Sequence, residues 1–164
     1  MLLYHGSYTE ITAPRLVASS RGLDFGHGFY LTSREDQAKS FAERVIKRRG
    51  EGVATVSVYD FDEKVAKQTL DIKHFPEPNA EWLEYVRDNR LKIYSGKQYD
   101  LIIGQVANDN VFLTIQALVI GQFTVEAALV ALKPYKLFDQ HCFATEKALS
   151  MLKFVKSISQ WEEQ

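Results

Sequence analysis

His5 stands in "YHGS", directly after a short apolar run and one residue before a glycine. An imidazole held at a strand end, beside a Gly6 that bares its backbone N–H and C=O, can grip the edge of a ligand; a hydrogen-bonded turn histidine uses the same letters. Further on, "FGHGFY" places two aromatics after a pair of glycines. If residues 28–32 form a strand, Gly28, Tyr30 and Thr32 share one face and Phe29 and Leu31 the other. One ring then enters the core while the other is free to stack on a planar ligand. No G-x-G-x-x-G opens a helix here, and no Lys-Ser/Thr ending marks a P-loop. Late in the chain, "FDQHCFATEKAL" puts Gln140 and Cys142 on one face of a strand and His141 and Phe143 on the other. A glutamine amide on the inner side needs partners, and sugar hydroxyls are suitable ones. The same alternation parts His141 from Cys142 and argues against a thiol nucleophile with its base. His27, His74 and His141 have no metal-ligand spacing, so no metal is expected, and His27 is expected at a solvated rim.

The elements that must carry these residues follow from periodicity. "LLYHG" and "GFYLT" read as strands, with residues 8–23 mostly loop. Thr32, with Glu35 three residues on, reads as a capping box. In the helix that follows, Ala38, Phe41, Ala42, Val45 and Ile46 recur at helical spacing, a Glu/Lys ladder runs outside, and Gly50 is the stop. "VATVSVYDF" reads as a central strand, with "KQTLDIKHF" as its alternating partner. A helix is expected over residues 80–89, a buried strand over 99–107, a turn at "NDN", and two short helices over 110–119 and 124–132. "QHCFAT" and "MLKFVKSIS" close the chain as strands with a helical turn between them. The sum is one α+β domain over residues 1–164, mainly antiparallel, with helices around the sheet.

Composition narrows the function classes. Hydrophobic residues make up 46% and charged residues 25%, which is ordinary for a soluble domain. Lys and Arg total 20 against 21 Asp and Glu, so no overall field draws nucleic acid or membrane. A nucleic-acid target would need a local basic patch; the candidate is "RVIKRR", residues 44–49, which reads otherwise as the solvated end of a helix. One cysteine, no secretory start and an apolar region interrupted by Gln116, Gly121, Gln122 and Glu126 point to a reducing, cytoplasmic setting without a membrane span.

Taken in order, "YHGS", "DFGHGFYLTSREDQAKSFA" and "QHCFATEKALSMLKF" resemble the ADP-ribosyltransferase fold, and more narrowly its histidine-tyrosine-acid/amide branch of poly(ADP-ribose) polymerases and diphtheria-type toxins. The chain is also similar to a family of small, uncharacterised bacterial domains that carry "DFG-x-GFYLT" and a late "Q-x-x-F-x-T-E-x-A-L". The resemblance implies a split, mainly antiparallel sheet, NAD as co-substrate and no metal. It implies that His5 bonds the ribose, that the Gly6 backbone anchors the nicotinamide amide, that Ser7 orients the ribose and that Tyr30 stacks on the ring. Gly28 and Phe41 fall within the matched NAD-binding segment. Gln140 takes the third position, where many relatives carry glutamate. An amide can orient a hydroxyl but cannot act as a carboxylate base, which favours transfer of a single ADP-ribose unit over chain elongation. Asp109 and Glu146 are the accessory carboxylates considered; Asp109 would equally cap a turn.

The implied function is a mono-ADP-ribosyltransferase, a toxin or regulatory effector, acting on a protein or nucleic-acid acceptor. A toxin would have an antitoxin partner. The alternatives are a catalytically silent module that binds NAD or ADP-ribose, and an RNA 2′-phosphotransferase of the same fold. The latter usually carries a second histidine where Tyr30 stands and a larger basic surface.

Overall fold

The apolar run after Met1 forms β1 (Leu2–Ser7), and it pairs antiparallel with β3 (Thr55–Phe61), which pairs in turn with β7 (Leu152–Ser159). The computed structural model describes residues 1–106, 109–133, 138–159 and 161, and the side chains of 109–112 lie outside that description. A second sheet has the order β2-β6-β5-β4, built from Phe29–Leu31, Phe138–Phe143, Leu101–Val106 and Ile72–His74. All pairings are antiparallel except β4 with β5. With six helices among the described residues, the fold is α+β.

Three apolar layers hold it together. Leu3, Tyr59 and Phe61 from the first sheet meet Phe29, Leu31, Leu101 and Phe143 from the second, so the sheets bury one face against each other. α1 (Glu35–Arg49) covers the outer face of the first sheet, with Ala38 against Val56 and Val58. α3 (Ala80–Arg90), α4 (Asp109–Val119) and α5 (Val125–Leu132) cover the outer face of the second, through Trp82, Leu83, Ile115, Leu118 and Leu132. Covered on both sides, Thr55 to Tyr59 are all buried, the polar Thr55 and Ser57 among them. No helix among the described residues is long and apolar enough to cross a membrane.

Two expectations are corrected. "KQTLDIKHF" is not a partner strand of β3. Its first residues close α2 (Glu63–Thr69), whose start Asp62 caps by accepting from the amides of Lys64 and Val65, and only Ile72–His74 is a strand, parallel to β5. Nor does Thr32 form a capping box. α1 starts at Glu35 after an uncapped Arg34, because the Thr32 hydroxyl donates to Gln37 Oε1 at 2.9 Å instead. "NDN" includes residue 108, outside the described residues, while Asp109 already opens α4.

The "DFG" segment proves to be an anchor. Asp24, buried, accepts a 2.6 Å bond from Arg90 Nε of α3; Phe25 enters the core; and Gly26 turns at φ +80°, a conformation that favours glycine. Removing one partner strands the other charge, so Asp24→Ala and Arg90→Met are each expected to cost about 3–5 kcal/mol, read by urea unfolding.

Candidate active site

β1 and β2 belong to different sheets but touch at one point. Tyr4 and Thr32 exchange backbone bonds of 2.8 and 3.0 Å, and beyond them the strands part. The side chain of His5 spans that opening. Its Nδ1 lies 2.7 Å from the Tyr30 carbonyl, and its ring stacks on Phe29 with centroids 4.2 Å apart. Because a carbonyl only accepts, Nδ1 carries the proton, and Nε2 of the neutral ring is left as an acceptor. Burial lowers the His5 pKa below its ordinary value, the bond to Tyr30 opposing it, so the ring is neutral at pH 7.

Strand alternation turns the Gly6 N–H and C=O the same way as those of Tyr4, toward the edge that faces β2. The glycine itself is required by packing. A Cβ there would lie 2.1 Å from Ala38 O and 2.9 Å from Ala42 N, so α1 rests directly on β1. Between those alanines Phe41, expected among the apolar positions of α1, is 43% exposed, and the Arg44 guanidinium lies 5.8 Å from its ring centroid. Ser7, buried, ends β1 on the face that carries His5.

Tyr30 and Phe29 part as their alternation requires: Phe29 joins the inter-sheet core, and Tyr30 packs on the helical side. The Tyr30 hydroxyl donates to Gly26 O at 2.5 Å and accepts from Phe25 N at 3.2 Å. Burial, with the Cys142 thiol and Asp24 close by, raises its pKa and keeps it a donor. The phenol therefore ties the "DFG" turn to β2. Gly28 leaves less room than its place in the motif implied, since a Cβ there would meet Cys142 Sγ at 2.4 Å and Phe143 O at 2.9 Å. His27 is exposed.

On β6, the register that pairs Leu31 with His141 sets Gln140 level with Thr32 and opposite Gly104 of β5. Gln140 Oε1 is buried and has no hydrogen-bond partner among the described residues. Cys142 is fully buried, and burial pushes its thiol up to about 12, against a bond from Tyr30, which suits a packing residue and not a nucleophile. Asp109 opens α4 three residues beyond Val106, at the end of the sheet that carries Gln140. Glu146 begins α6 (Glu146–Leu149) beyond the opposite end of β6, about 10 Å of strand and a turn away, and is removed from the site. The "TE" of its motif is a helix start: Thr145 accepts from Ala148 N and donates to Asp100.

One carboxylate here escaped the sequence reading. Asp139 accepts from Ser33 N at 2.8 Å and Ser33 Oγ at 2.7 Å, and His141 Nδ1 lies 3.2 Å away without hydrogen-bond alignment. Burial would raise its pKa, but His141 and the Ser33 bonds outweigh it and hold it at about 2. Depressed from 3.8, it stabilises the fold above that pH, by about 2 kcal/mol, and the contribution disappears as pH falls from 3.8 to about 2. Asp139→Asn is expected to remove it and flatten the acid limb of a stability–pH profile followed by urea unfolding. The alternation of Asp139 with His141 was the available signal.

The family model described as "Protein of unknown function (DUF3990)" matches residues 1–154. The chain belongs to the DUF3990 family. The match covers the whole second sheet, the first sheet as far as residue 154 of β7, and every residue of the candidate site in this DUF3990 chain. No curated protein and no solved structure matches the chain. Among the described residues of this DUF3990 chain, no three His, Cys, Asp or Glu side chains are grouped to hold a metal ion.

Proposed function

We propose that the chain has the ADP-ribosyltransferase fold and is a NAD-dependent mono-ADP-ribosyltransferase. The observation that carries this reading is the buried Gln140 Oε1, which has no hydrogen-bond partner among the described residues and lies on β6, the neighbour of the strand whose Tyr30 carbonyl holds His5 and leaves its Nε2 an acceptor. A buried carbonyl oxygen without a donor is costly, and a ribose hydroxyl is a donor of suitable size. His5 Nε2 and Gln140 Oε1 then take hydroxyls of the nicotinamide ribose, and the Gly6 edge takes the carboxamide as a strand takes a neighbour. Tyr30, fixed through its hydroxyl, and the exposed Phe41 are the two rings available to nicotinamide.

In the reaction the bond between ribose C1′ and the pyridinium nitrogen breaks, and its electron pair leaves with neutral nicotinamide. An acceptor heteroatom bonds to C1′ and gives up its proton. The sugar passes through an oxocarbenium-like state, which polar groups already in place stabilise more than they do the ground state. Gln140 orients without supplying a base, so the proton goes to the acceptor's own group, to solvent or to Asp109.

Calorimetric titration with NAD tests the site. Saturable binding is expected, weakened about tenfold by Gln140→Leu, which removes the orphan oxygen, and by Tyr30→Ala or Phe41→Ala through lost stacking. If all three variants bind NAD as the parent does, the placement is wrong. Binding without nicotinamide release would favour a silent NAD module, which the amide at position 140 also permits.

A further inference from the structure

Two clefts outside the site share one residue, Arg21. The first, about 280 Å³, is lined by Tyr8, Arg21, Val45, Arg48 and Arg49; the second, about 230 Å³, is lined by Arg21, His27, Asn89, Lys92 and Tyr94 together with small and apolar residues. Neither lining contains a carboxylate, although acidic residues outnumber basic ones by 21 to 20 in the chain as a whole. Arg48 and Arg49 lie in the last turn of α1, where the helix dipole alone favours cations. That preference does not account for Arg21, which comes from the loop before β2, or for Lys92, which follows α3. Cations from three separate segments converge on adjoining clefts. Aromatic rings are set among them: Tyr8, 40% exposed, lies 3.8 Å under the Arg49 guanidinium, and Tyr94 lines the second cleft. Arg49 also pairs with the Glu51 carboxylate at 3.1 Å, whereas Arg48 and Lys92 donate to the neutral carbonyls of Arg44 at 3.4 Å and Ser20 at 2.7 Å, so Arg21, Arg48 and Lys92 are the stronger candidates for an external anion.

A single phosphate would need one such cleft. Two joined clefts with interleaved rings suit a chain of phosphates that carries stackable bases. We infer that the track from Arg48 through Arg21 to Lys92 binds a single-stranded nucleic acid. Tyr8 lies three residues beyond His5, just past the end of β1 and within about 10 Å of chain, so the bound nucleic acid passes beside the parted strands. Its role as acceptor rests on the transferase reading; its binding does not.

The test is fluorescence anisotropy of a labelled oligothymidylate of about twelve nucleotides, with no NAD present. Binding is expected at low salt, and Arg21→Gln combined with Arg48→Gln should weaken it about tenfold and lower the slope of log K against log salt by about 1.4. Both side chains are exposed, so the double variant should melt as the parent does. Absence of binding, indifference to the double substitution, or equal affinity for polyglutamate would overturn the inference. So would a double variant that raises the KM for NAD while leaving oligonucleotide affinity intact, which would give the clefts to the dinucleotide's diphosphate. Failure of nicotinamide release would leave this binding result standing and would count against the transferase alone.

Discussion

His5→Ala is expected to slow nicotinamide release from NAD by about a hundredfold or more, the scale on which loss of one positioned group in a charge-developing transition state is felt. The substitution removes two things. Nδ1–H no longer ties β1 to the Tyr30 carbonyl where the strands part, and the Nε2 proposed to accept a ribose hydroxyl is gone. His5→Asn separates them, because an asparagine amide can donate from near the Nδ1 position but presents nothing where Nε2 was. The asparagine variant is therefore expected to keep most of the stability and still lose the rate. Recovery of rate in His5→Asn would assign His5 a structural role only. The lowered pKa gives a second readout. His5 neutral in the fold and charged when unfolded below pH 6.5 destabilises the native state as pH falls from 6.5 toward the folded value, and His5→Asn should flatten that window.

Gly6→Ala is expected to cost about 3 kcal/mol or more of stability by urea unfolding. The added carbon would fall 2.1 Å from Ala38 O and 2.9 Å from Ala42 N, and both are helix backbone that cannot turn aside. α1 must back away from β1, opening the layer that holds Val56 and Val58 and displacing Phe41 with the helix. Overpacking against side chains costs about 1–3 kcal/mol, and here there is no rotamer to absorb it. A Gly6→Ala protein that unfolds at the parent's midpoint would show that α1 is not seated as described.

Much of the frame was legible because its periods are strong. The spacing of Ala38 and Ala42 gave α1, the β-branched and aromatic residues of 53–61 gave β3, and the alternation of Phe29 and Tyr30 sent the two rings to opposite sides of the second sheet. The failures have two causes, hydroxyls and charges drawn to partners off the local pattern and one period overruled by a neighbouring helix. Thr32 has the spacing of a cap, but Gln37 and Asp139, one of them 107 residues away, draw on its hydroxyl. Alternation in "KQTLDIKHF" concealed a helix end, although Asp62 before "EKVAKQ" was a start signal in plain view. Glycines announced close approach without saying to what: Gly28 meets Cys142, and Gly6 meets a helix. Of the candidate site, His5 and Gly6 lie at the parted strands, where the Tyr30 carbonyl meets His5 while the Tyr30 ring packs on the helical side, and Gln140 lies level with Thr32 across β2; Glu146 does not join them. Asp139 and the Asp24–Arg90 pair were not legible as anchors, because their partners lie 106 and 66 residues away.

The central claim is that the parted strands at His5 hold NAD for cleavage of its nicotinamide–ribose bond. Chromatographic assay of free nicotinamide, after incubating the purified protein with NAD in the presence and absence of cell extract, tests it most directly. The account predicts release that depends on His5 and rises when extract supplies an acceptor. NAD that remains intact under both conditions, with the protein shown to bind it, would contradict the account.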